Sequence, residues 1–149
     1  MSDSLSYDLH KLTARLDRAA DRILHEREGI SYSRFLTLFA VKNGAAHQRA
    51  LATWLGQSEP STSRMVGVLA SEGMLTARRM PGRGNTRRLQ LTSAGAELVE
   101  RGSRLLEGRF EELLDRSGVS RASYQRQTRR LLDQLDADTQ GQPDVSNAA

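Results

Sequence analysis

Residues Ala46 to Thr92 read AHQRALATWLGQSEPSTSRMVGVLASEGMLTARRMPGRGNTRRLQLT, and this stretch decides the fold. Leu51, Ala52 and Leu55 recur at three- and four-residue intervals, which predicts a helix over Gln48–Leu55. Gly56 ends it. Ser58 then stands where a helix cap is needed, and Pro60 falls in the first turn, where its missing N–H costs nothing. A second helix is predicted over Glu59–Ser71, closed by Gly73, with Met65, Val68 and Leu69 toward the core. Ser61, Thr62, Ser63 and Arg64 sit near its start, where short hydroxyls permit close approach to base edges and arginine reaches guanine or phosphate. Taken alone, the same serines read as a capped helix start.

The next residues tip that balance. Leu75–Arg79 and Arg87–Leu91 are strand candidates, and Pro81, Gly82, Gly84 and Asn85 between them are turn residues. Arg78, Arg79, Arg83, Arg87 and Arg88 all belong to this hairpin. With Arg49 and Arg64, the stretch carries seven arginines against Glu59 and Glu72, a net +5, whereas the whole chain is only +4. The rest of the chain is therefore slightly acidic. Positive charge confined to one module is the footprint of a phosphate-binding surface.

Helix, turn, helix and basic hairpin outline a winged helix-turn-helix. The run LATWLGQSEPSTSRMVGVLASEGML, the hairpin and the closing LTSAG, with Leu91, Thr92 and Gly95, resemble the multiple antibiotic resistance regulator (MarR) family of bacterial transcription factors. The resemblance extends over nearly the whole chain. Three positions depart from the family pattern: Ala77 replaces a common arginine, and Arg83 and Asn85 replace an Asp-x-Arg pair at the wing tip. Arg83 or Arg87 could take over the reach of the missing wing arginine.

Around this module the 149 residues suit one domain with a sizeable core. No membrane-length apolar run and no signal peptide are legible, so the expected location is cytoplasmic. The absence of cysteine excludes a disulfide framework, a thiolate metal site and a thiol switch. Leu5, Leu9, Leu12, Leu16, Ala19 or Ala20, and Ile23 make a narrow stripe on a first helix over 5–28. Ser31 or Ser33 opens a support helix within 31–43, dense enough in Phe35, Leu36, Leu38 and Phe39 to be fully buried. Beyond the hairpin, a long helix from Thr92 to about Arg116 is broken at Ser117-Gly118. A last helix follows from Ser120 to Asp138, with Tyr124, Leu131, Leu132 and Leu135 on one side. The tail over 139–149 lacks periodicity and is expected to be disordered.

The expected fold is thus mainly α with a small β-wing, a winged helix-turn-helix flanked by long dimerisation helices. The resemblance implies a homodimer with two recognition helices about one DNA turn, ~34 Å, apart on a palindromic operator. A monomeric helical core is the alternative. The expected DNA contacts are Gln48, Arg49, Ser58, Ser61, Thr62, Ser63, Arg64, Arg78, Arg79, Arg83, Asn85, Arg87 and Arg88. The resemblance also implies repression and release by a small aromatic or phenolic ligand near Tyr7, His10, Tyr32 and Phe35, residues that ordinary packing would equally explain. No cofactor or metal is expected. His10, His25 and His47 lack metal-ligand spacing and a nucleophile, which argues against an enzyme, and capping is the plain role for His47. A protein-binding winged helix should expose apolar side chains where Ser61, Thr62 and Arg64 stand, and an architectural DNA binder should spread its charge along the chain.

Overall fold

The structure, a computed structural model, describes residues 4–141. In chain order the elements are α1 (Leu5–Glu28), α2 (Tyr32–Lys42), α3 (Gln48–Leu55), α4 (Glu59–Ser71), β1 (Leu75–Arg79), β2 (Arg87–Leu91), α5 (Ser93–Ser117) and α6 (Arg121–Gln140). The chain divides after Leu106 into two compact units. The bounds of α3, α4, β1 and β2 are those expected from the sequence. At the C-terminus, Thr139 and Gln140 continue α6 instead of starting the tail, and residues 142–149 lie outside the described residues.

Local chemistry sets the helix ends. Ser31, His47, Ser58 and Ser120 each accept a backbone N–H three residues ahead, at the starts of α2, α3, α4 and α6. Gly56 ends α3 in the left-handed conformation, which only glycine adopts without strain.

In the first unit the core joins Leu24 of α1, Phe35, Leu38 and Val41 of α2, Leu51 of α3, Val66 and Leu69 of α4, Leu75 and Leu89 of the hairpin, and Leu98 and Val99 of α5. Each fully buried aliphatic side chain here contributes about 1.5–3 kcal/mol. Two sequence expectations need correction. α2 is amphipathic: Phe35 and Leu38 are buried with Thr37, Ala40 and Val41, but Leu36 and Phe39 are only half-buried. In α4 Leu69 is buried and Met65 packs half-buried against the core as expected, but Thr62 and Val66 complete the buried stripe and Val68 is exposed. Both stripes have helical spacing. Thr62 can occupy the core because its hydroxyl donates to the Ser58 carbonyl at 3.0 Å, leaving a methyl to pack.

The two strands pair antiparallel, with Leu75 opposite Leu91, Ala77 opposite Leu89, Arg78 opposite Arg88 and Arg79 opposite Arg87. The stretch before α3 adds a partial third strand: the Leu89 N–H donates to the Ala46 carbonyl at 2.8 Å, and His47 bridges Arg88. Thr92 anchors the far end, its hydroxyl donating to the Gly73 carbonyl at 2.6 Å and accepting from the Gly95 N–H at 3.1 Å. Gly95 must be glycine, since a Cβ there would lie 2.0 Å from the Met74 carbonyl oxygen. The Leu-Thr-x-x-Gly ending is therefore a joint that locks the hairpin base to α5.

In the second unit α5 turns at Gly118 into α6. Phe110 and Tyr124 meet with ring centroids 6.4 Å apart, and Arg121 pairs with Glu107 at 3.4 Å and with Glu111. α6 buries none of its residues, and Leu131, Leu132 and Leu135 are 61%, 54% and 61% exposed. On α1, Leu5 and Leu9 are likewise open, and Leu24 is the α1 residue that the core encloses.

Candidate nucleic-acid interface

Three pieces of the first unit meet around a groove of about 600 Å³: the start of α3, the start of α4 and the wing. Gln48 and Arg49 line it from α3, Glu59 from α4, and Arg83, Asn85, Arg87 and Arg88 from the wing. His47 also lines it, while its Nδ1 accepts the Ala50 N–H at 3.2 Å. That bond is the cap of α3, so the capping role read from the sequence is the one found. The groove wall is cationic, and the partial positive charge of the helix starts adds to it.

Among the described residues, none of the seven arginines between Ala46 and Thr92 pairs with a carboxylate. Of the thirteen arginines elsewhere in the chain, five do: Arg34, Arg101, Arg104, Arg109 and Arg121. The interface arginines hold at most neutral partners: Arg64 donates to Ser61 Oγ at 3.2 Å, and Arg79 to Asn85 Oδ1 at 3.5 Å. Their charge is free for an outside anion.

The first turns of α4 divide the expected base-reading residues. Ser63 and Arg64 are exposed, and Ser61 is half-buried beneath Arg64. Ser58 is committed to its cap, accepting the Ser61 N–H at 3.3 Å. Thr62 does not belong to the contact set: it is fully buried, with its hydroxyl turned back into the helix. The outward face of α4 instead continues through Gly67 and Val68, both exposed. The sequence reading missed them because Val68 fits an apolar stripe as well as Val66 does.

No protein-family model and no curated protein matches the sequence. Solved structures do. MarR from E. coli in its apo form matches with a TM-score of 0.74 over 91% of this chain and 98% of its own, at 19% identity. A MarR-family transcriptional regulator from Rhodococcus sp. matches with a TM-score of 0.75, over 90% of this chain and 96% of its own, at 18% identity. MepR from S. aureus, in a complex with DNA, gives a TM-score of 0.71 over 91% and 99% of the two chains, at 18% identity. This chain has the MarR fold.

Within that MarR fold, Asn85, at one of the departing wing positions, reaches Arg79, while Arg83 stays exposed at the tip. Ala77 lies half-buried opposite Leu89, continuing the apolar side of the hairpin where a longer arginine would have to bend outward. The four residues considered for a small ligand do not share one environment. Tyr32 and Phe35 stack with centroids 6.5 Å apart, and Phe35 is buried so closely against α5 that a Cβ on Gly102 would meet its ring at 2.5 Å. Tyr7 and His10 stand exposed on the first turns of α1. Burial, and then the Asp17 carboxylate, push the Tyr32 phenol above its ordinary pKa, reinforcing the protonated form that any tyrosine holds at neutral pH.

Proposed function

We propose that this protein is a sequence-specific, DNA-binding transcriptional regulator that acts as a homodimer and represses the genes it binds. The observation that carries the reading is the groove of unpaired arginines beside an outward-facing α4. A duplex laid against it would meet α4 in a major groove through Ser63 and Arg64, with Gln48 and Arg49 on the backbone and the wing alongside. MepR, MarR with operator DNA and MosR from M. tuberculosis have each been solved in complexes with DNA, which supports the same use of the shared fold. The open stripes of α1 and α6 are the surfaces a second copy would cover. Among the described residues no helix is long and apolar enough to cross a membrane, and no group of three His, Asp or Glu side chains could hold a metal.

Selection from a pool of random duplexes at moderate salt, with oligomeric state measured in parallel, tests this function. A dimer that enriches an inverted repeat, with half-sites about one turn apart, is the expected result. Binding that enriches nothing and fades uniformly with salt would leave an architectural DNA binder, and no binding at all would leave a protein-interaction module. On the enriched duplex, Arg64→Ala should change the preference between sites by about 1–3 kcal/mol, whereas Arg88→Ala should weaken all sequences alike. Release by a small aromatic or phenolic effector is part of the proposal. Tyr32 is its donor, and benzoate titrated against the complex should free DNA from the parent protein and less readily from Tyr32→Phe.

A further inference from the structure

The register of the wing places its arginines on two opposite faces. Directly opposed residues of a hairpin share a face, and successive rungs alternate. Leu75 with Leu91 and Ala77 with Leu89 face the core, so Arg79 with Arg87 carries that same face outward past the core's edge. Arg78 with Arg88 occupies the other face, in line with Thr76 and Gln90. All four arginines are exposed, and residues 75–91 contain no carboxylate.

Two like charges directly opposite each other repel, and here two such rungs follow one another. An anion on one face would relieve one rung and leave the other unrelieved. Two parallel lines of anions, one on each side of the hairpin, would relieve both. The two phosphate walls of a DNA minor groove are such a pair, in a groove only about 6 Å wide. The β2 edge of the wing lines the same groove as the starts of α3 and α4, so a duplex held there would present a neighbouring minor groove to the hairpin.

We propose that the wing is a two-sided phosphate clamp: Arg78 and Arg88 hold the backbone of one DNA strand, and Arg79 and Arg87 hold that of the other. The inference rests on the DNA-binding reading and deepens it. Neither rung reads bases. The clamp gives this chain a way to seat its wing without the Asp-x-Arg tip, the residues there being Arg83 and Asn85.

The test compares two double variants of the full chain, Arg78→Gln with Arg88→Gln and Arg79→Gln with Arg87→Gln. Each is footprinted with hydroxyl radical on the duplex recovered by selection, with the two DNA strands labelled separately. Within each half-site the two variants should lose flanking protection on different strands, and each should lower the salt slope of log Kobs by about 3.6, the loss of two phosphates at each of the dimer's two wings. Lysine at the same four positions should restore both protections. Thermal melting of the free variants should be unchanged or raised, because a repulsive rung has been removed. Loss on the same strand of a half-site from both variants, or no loss from either, overturns the clamp while leaving DNA binding intact. If selection enriches no duplex, the sequence-specific reading fails by itself and the salt slope on mixed-sequence DNA decides the clamp. A fall from both pairs then supports it, and a fall from one pair alone, or no binding, overturns it.

Discussion

α4 and α6 carry apolar stripes of similar spacing and meet opposite fates. α4 buries Thr62, Val66 and Leu69 against the core of its own unit, while α6, a longer helix, buries nothing and leaves three leucines more than half exposed. A stripe therefore shows that a helix has a face to cover, and says nothing of which chain covers it. α4 is held from inside, so its outer face is free for a ligand. α6 has its apolar face free, and the proposed homodimer assigns that face to a second copy.

The largest expected effect would break this contrast. Leu131→Asp with Leu135→Asp should convert the dimer to a monomer in sedimentation and abolish tight binding to the selected duplex, since one half-site supplies too few contacts. A variant that stays dimeric would show that α6 does not form the interface. Next comes Leu69→Ala, expected to lower stability by about 3 kcal/mol in urea unfolding through the cavity it leaves. Leu132→Ala, measured where the protein is monomeric, should stay within about 0.5 kcal/mol. Gly95→Ala should cost about 2 kcal/mol, because its methyl would strike a backbone carbonyl that cannot swing away. Smallest is the pair that sharpens the reading of α4 itself. Val66→Ala should cost about 1.5 kcal/mol and Val68→Ala about 0.5 kcal/mol or less, where the sequence pattern alone predicts the reverse.

Much of the fold was legible because its signals are local. Ser58 and Pro60 mark the start of α4, Gly56 the end of α3, and Pro81 to Asn85 the turn, since caps and turns act within a few residues. Arginine clustering was legible for a similar reason: charge can be counted along a chain. The site was less fully legible. Thr62 was grouped with Ser61 and Ser63 as a polar residue at a helix start, yet its hydroxyl is satisfied inside the helix and its methyl completes the core. His47 was legible as a cap, but its place in the groove wall depends on β2 pairing with Ala46 and His47 from across the fold.

The sequence by itself determined where most of the helices and strands begin and end, and that positive charge gathers in one module, because both follow from neighbours in the chain. Only the tertiary structure decided that Val66 and Thr62 of α4 turn inward while Val68 turns out. It also decided that the hairpin arginines stand as two opposed rungs on opposite faces and that Gly95 leaves no room for a side chain. Those outcomes depend on what packs or pairs across from each residue, and partners distant in sequence leave no mark on local spacing.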